Sequence, residues 1–262
     1  MGSRMVRDRS REGSWWLMVG LFTICVVGWS LAFSLKVGAS AVDSSEISSS
    51  QADQIWSLKT FTKIRILGGY KVSLRQGDVE KVSANGNAQA LAQLEVFVED
   101  GELIVRNKAK GWLKGWAGAS QSNIDLVIEF QSLEKLTVGG SAELRSRALY
   151  SDELILDVAG SGDISVTDLR GTTLELRVAG SADVELTGDV TEQAVKIAGS
   201  ADYHAEQLSS KNVSIVISGS GGARLRVSDD LDARVSGSGS VRYRGNPEVN
   251  SSIHGSGRIQ PL

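Results

Sequence analysis

Apolar and polar residues alternate at period two through the second half of the chain, in short runs broken by a recurring Gly-Ser pair. Leu154, Leu156 and Val158 lead into one such pair, and Ile164 and Val166 follow it. The same offsets return as Leu174, Leu176, Val178 then Val184, Leu186, and again as Val213, Ile215, Ile217 then Leu225. Alternation at two marks a strand with one buried face, so each unit reads strand, turn, strand. Gly140, Gly160, Gly180, Gly199, Gly219, Gly237 and Gly255 recur every 18 to 20 residues, a spacing that belongs to solenoids. Equal offsets put equivalent side chains on one face of successive coils. The pattern therefore predicts an all-β fold over residues 131–262: a single-stranded parallel β-helix, a three-sided solenoid of about 20 residues per coil. At about 3.3 Å per residue such a coil has a perimeter of about 66 Å, enough for three short strands and their corners. Right-handed winding is expected from the crossover rule.

The glycine of each corner supplies the positive φ that a tight reversal demands. The serines behind it, Ser161, Ser181 and Ser200 among them, are small enough for the corner, and their hydroxyls are expected to bond local backbone or the serine of the next coil. Aliphatic columns hold such a fold more strongly than its turns, at about 1.5–3 kcal/mol for each fully buried side chain. Residues 55–130 are strand-rich but carry the repeat only once, as ILGGYKV at 66–72. EVFVEDGELIV at 95–105 reads as a hairpin around Asp100-Gly101, a dipeptide suited to a type I′ turn. This region is expected to be an irregular β cap over an end whose strand edges would otherwise be exposed, with Pro247 and Pro261 blunting the other end.

The first forty residues follow a different pattern. Arg4, Arg7, Arg9 and Arg11 precede an uncharged apolar run from Trp15 to Leu35, long enough to cross a bilayer. The arginines place residues 1–14 in the cytoplasm and send the rest outward. Residues 15–35 are thus a transmembrane helix or a signal-peptide core; Ala39-Ser40-Ala41 offers a small-x-small cleavage site after Ala41. Cys25, the one cysteine, lies within the run behind Ile24, which argues against a lipoprotein acylation site and leaves no disulfide for the exported part. Residues 36–54 are Ser-rich and polar, as a linker would be, and the folded body is expected to begin near Ile55. Two localisations remain: anchored in the inner membrane facing the periplasm, or periplasmic or surface-exposed after cleavage.

Charge and chemistry narrow the function. The net charge of −3 becomes about −6 once residues 1–41, with five basic and two acidic groups, are set aside. An acidic module without clustered lysines argues against nucleic acid. Glu143, Asp163, Asp183 and Asp202 form an acidic column that could suit calcium, but it decays to Gly222, Ser240 and Arg258, so aspartates accepting from turn amides are the simpler reading. His204 and His254 look like surface or corner residues, and neither stands in a nucleophile elbow. No cysteine set, spaced histidine pair or phosphate loop calls for a metal or cofactor. Trp112 and Trp116 sit in a Gly- and Lys-rich loop, KAKGWLKGWAGAS at 108–120, where they either tuck against the solenoid end or anchor a partner, glycan or membrane interface.

From Phe61 to about Arg258 the order FTKIRILGGYKVSLRQGD, VEDGELIV, IDLVIEFQSLEKLTVGGSAEL and the GSGD-type corners resembles the bacterial putative auto-transporter adhesin head GIN domain family. The resemblance implies a β-helical, envelope-associated domain and brings no catalytic residues. The expected function is a non-catalytic envelope scaffold or binding and adhesion-type domain, with an envelope protein or glycan as partner and the solenoid ends as surfaces for self-association. The alternative is a membrane-anchored signalling or stress-response component; a glycan-acting enzyme is the weaker third.

Overall fold

The computed structural model describes residues 51–108 and 124–262. The expected cytoplasmic segment and membrane or signal helix over 1–35, most of the expected linker over 36–54, and both Trp112 and Trp116 lie outside the described residues. Chain order runs β1 (Gln51–Ser57), β2 (Lys63–Leu67), β3 (Lys71–Gln76), β4 (Lys81–Asn87), a one-turn helix α1 (Ala88–Leu91), β5 (Leu94–Glu99), β6 (Glu102–Asn107), β7 (Ile124–Phe130), β8 (Lys135–Gly140), β9 (Glu143–Ser146), β10 (Leu149–Tyr150) and β11 (Glu153–Gly160). Four long bent strands follow, β12 (Asp163–Gly180), β13 (Asp183–Gly199), β14 (Asp202–Gly219) and β15 (Gly222–Gly237), then β16 (Ser240–Arg244), β17 (Glu248–Gly255) and β18 (Arg258–Pro261).

These strands stack in columns. The first column runs β6, β2, β8, β11, the second halves of β12 to β15, and β17, all parallel. The second runs β7, β3, β9, the first halves of β12 to β15, β16 and β18, also parallel. A third, shorter set aligns Leu149, Leu169, Gly188 and Leu208. The molecule is an all-β solenoid of about six turns, each of about 20 residues.

Register explains the core. Val138, Val158, Val178, Ile197, Ile217 and Val235 sit directly above one another, and every one of them is buried. Each adds about 1.5–3 kcal/mol by leaving water, and the parallel ladder makes the row continuous. The corners take their form from the same stacking. Gly199 has φ +126°, and a Cβ there would stand 2.2 Å from the carbonyl oxygen of Gly180, so only glycine fits. Behind each glycine the serine acts through its backbone: Ser161 N–H donates to Gly140 O at 2.9 Å, and the bond recurs up to Ser256 N–H on Gly237 O. The hydroxyls expected to make these bonds make none among the described residues and face solvent, because the amide already closes the corner.

The N-terminal segment does more than the sequence indicates. It lays two coils inside the stack, β2–β3 and, beneath them, β6–β7, before the chain passes on to β8. Antiparallel strands then finish that end: β5 on β6, β4 on β7 and β1 on β4. The β5–β6 turn has φ 49° at Asp100 and φ 73° at Gly101, as a type I′ turn requires. Strand β1 opens at Gln51, four residues before the boundary expected near Ile55. Among the described residues it pairs on one side only, with β4, so its polar composition reads as linker.

Candidate functional site

Alternation leaves every second side chain of each column pointing outward, and the two long columns use those positions differently. On the first column, charges answer one another along the stack. Lys135 Nζ meets Asp157 at 2.7 Å, and Arg177 bridges Asp157 at 3.3 Å and Glu175 at 2.6 Å. On these coils opposite charges meet, while Glu153, Glu192 and Asp230 in the next row have no ion pair among the described residues.

The second column is segregated instead. Glu143, Asp163, Asp183 and Asp202 stand in register on four successive coils, with Glu185 one row over. Arg145 pairs with Glu143 at 2.6 Å, but Asp163, Asp183, Glu185 and Asp202 have no ion pair among the described residues. Farther along, the same two rows become Gly222, Ser240 and Arg258, and Arg224 and Arg242. Arg226 and Arg244 extend the basic end, and among the described residues Arg224 alone of these arginines approaches a carboxylate, Glu206, at 3.8 Å. The acidic half borders a shallow depression of about 380 Å³ that also takes in Ser165 and His204.

The acidic column is thus real in register, yet its geometry does not gather ligands. Its carboxylates repeat about 4.8 Å apart along a straight line and point away from the sheet, whereas calcium needs six to eight oxygens wrapped around it. Among the described residues no group of three or more His, Cys, Asp or Glu side chains is placed to hold a metal.

The histidines are equally uncommitted. His204 is half-buried in a row that reads Ser165, Glu185, His204 on neighbouring coils. The carboxylate stands between hydroxyl and imidazole, which is the wrong order for a base to take a serine proton. His254 is exposed at the last corner, directly before Gly255. Trp112 and Trp116 lie outside the described residues, on the connection between β6 and β7.

Two features escape a period-two reading. The first is the row beside the acidic column, where Glu185 and His204 give way to Arg224 and Arg242; the acidic column itself, with its decay to Arg258, is visible in the sequence. The second is a polar trio inside the solenoid: Tyr203 Oη donates to Gln193 Oε1 at 2.7 Å, and Gln193 Nε2 donates to Ser210 Oγ. All three are buried, and burial pushes the Tyr203 phenol well above its ordinary range. Its signal was present as Gln193 at the inward offset of Leu154, Leu174 and Val213.

Solved structures share this architecture. A putative adhesin from Bacteroides fragilis superposes with a TM-score of 0.74 at 21% identity, covering 82% of this chain and 98% of that one. One from Parabacteroides distasonis gives 0.63 at 21%, with 82% and 98% covered. A putative lipid binding protein from the same organism gives 0.64 at 22%, with 81% and 96% covered. At these identities the likeness speaks for the fold. No curated protein matches the chain. The family model described as putative auto-transporter adhesin, head GIN domain, matches residues 60–247, and the chain belongs to that family.

Proposed function

We propose that the protein is a rigid, non-catalytic binding module of the cell envelope, an adhesion-type domain whose second column is the contact face. One observation carries this reading: the second column runs from an acidic stretch, Asp163, Asp183, Glu185 and Asp202, with no ion pair among the described residues, into an arginine-rich stretch, whereas the middle coils of the first column bridge opposite charges. Rows along a flat sheet suit an extended partner that tracks them, such as an envelope glycan or a protein segment, and they do not converge as catalytic groups must. The three-sided, right-handed form expected from the sequence would make each face a straight track. Binding to a panel of envelope polysaccharides tests the reading, with turnover followed in the same wells. Salt-sensitive retention without depolymerisation supports it; depolymerisation overturns it in favour of a glycan-acting enzyme.

The uncharged run Trp15–Leu35 favours a second reading, in which the leader stays in the inner membrane and the solenoid reports to membrane partners from the periplasm. Sequencing the N-terminus of the mature protein separates the two. Val42 as first residue marks a released module, and an intact leader marks the anchored signalling component.

A further inference from the structure

Strand β17 ends the first column and pairs, among the described residues, only with β15. Which of its backbone groups are free follows from the stack. Ile155 N–H donates to Glu134 O in the preceding coil, so outward-facing residues of this column turn their amides backward. Inward-facing residues must turn theirs forward. Asn250 continues the outward row of Asp232, while Val249, Ser251 and Ile253 continue the inward row of Leu231, Ala233 and Val235. Val249, Ser251 and Ile253 therefore present three N–H and three C=O groups to the open edge. Their side chains share the exposure: Val249 is 38% and Ile253 43% accessible, against 1% and 0% for Leu231 and Val235 one coil earlier.

The edge is chemically palindromic. Residues 248–254 read Glu-Val-Asn-Ser-Ser-Ile-His. Laid antiparallel on a copy of itself about Ser251, the strand sets Val249 opposite Ile253 and Glu248 opposite His254, each pair occurring twice. That register is also the one in which the three forward-facing amides meet their counterparts, because a one-residue slip would turn every side chain to the wrong face. We propose that two copies of this chain join at this end through an isologous β17–β17 ladder centred on Ser251. The ladder would make six backbone hydrogen bonds, cover Val249 and Ile253, and bring each Glu248 carboxylate to the His254 imidazole of the other copy. Strand β18 is the poorer edge. The same alternation turns Ile259 and Pro261 outward from the stack, and proline has no N–H to give. The inference is independent of what the second column binds.

Opposed residues of a hydrogen-bonded antiparallel pair have Cα atoms about 5.5 Å apart, within disulfide reach. The test uses the full chain with Cys25→Ser, expressed in cells so that export exposes it to oxidant, and scans single cysteines at Val249, Ser251 and Ile253. Ser251→Cys is expected to give a disulfide dimer on a non-reducing gel, with Val249→Cys and Ile253→Cys far weaker. Bridging strongest at either flanking position, or at none of the three, overturns the proposal. Sedimentation of the purified full chain in detergent adds a readout that misfolding cannot mimic. Glu248→Lys or His254→Glu alone should weaken dimerisation at least about tenfold, and the double variant should restore it because lysine then faces glutamate. Failure of the double variant to recover, with the singles still folded, overturns the pairing.

Discussion

The two ends of the solenoid are built differently. At the N-terminal end Phe61, Leu91, Leu94, Phe130 and Leu133 are all buried, and the last strands run antiparallel to the stack. At the other end the parallel stack stops on β17 and β18, whose inward residues lose the cover that their equivalents enjoy one coil earlier. A repeat can bury each coil only with the next, so it solves the middle of a solenoid and never its ends. Closing an end takes residues outside the repeat, and among the described residues β1, β4, α1 and β5 do so at one end only.

The largest expected contrast is between glycines in the middle and at the open end. Gly199→Ala must place a Cβ 2.2 Å from Gly180 O at φ +126°, with coils locked on both sides. Its cost should be about 3–5 kcal/mol, read from the denaturant midpoint. Gly255→Ala meets Gly237 O at 2.4 Å at the same φ, but among the described residues no coil lies beyond the last one, which can shift in the monomer. A loss for Gly255→Ala as large as for Gly199→Ala would mean that the last coil is as firmly held as the middle. The core repeats the contrast on a smaller scale. Leu231→Ala should cost about 2–5 kcal/mol and leave a cavity. Val249→Ala, one coil farther in the same row, should cost under about 1 kcal/mol in dilute solution.

How far these regions can be read from sequence tracks the same division. The repeat declared itself because Val158, Val178 and Ile197 return at fixed offsets, and parallel stacking turns equal offsets into equal positions. The coil β6–β7 did not, since its corner is replaced by the 16-residue connection 108–123 and its place beneath β2–β3 reverses chain order. Period-two reading likewise assigned Asp163 and Asp183 outward but gave no sign that Asp157 is bridged by Lys135 and Arg177 from the neighbouring coils while Asp163 and Asp183 have no ion pair among the described residues. Equal offsets place the rows, but which side chains pair across them depends on side-chain reach and packing, which the offsets do not carry.

A further substitution separates the interior from both ends. Tyr203→Phe keeps the ring but leaves Gln193 Oε1 without its donor, at a cost of about 1–3 kcal/mol at neutral pH. The same variant should change the alkaline limb. Burial raises the Tyr203 pKa above its usual 10.0, so folding favours the protonated phenol. Its contribution is complete below the unfolded value and lost as pH climbs past it, at up to about 1.4 kcal/mol per pH unit. Tyr203→Phe should flatten that decline above about pH 10, while Val249→Ala should leave it unchanged.

The smallest effect on stability is expected at Trp112 and Trp116, on the connection between the two strands that carry the N-terminal antiparallel finish. If these rings anchor a partner, replacing both with alanine abolishes retention on the polysaccharide or protein found by the binding panel and moves the thermal midpoint by less than about 2 °C. If instead they complete the closed end, the midpoint drops by several degrees and retention per folded molecule is unchanged. The second outcome would widen the difference between the ends, making the N-terminal one closed by aromatic packing as well as by strands. The first would make that end a second contact surface, set apart from the charged rows of the second column by its use of exposed aromatic area rather than charge. Salt distinguishes these surfaces even when both bind one ligand, because screening weakens the charged rows and leaves aromatic contact nearly untouched.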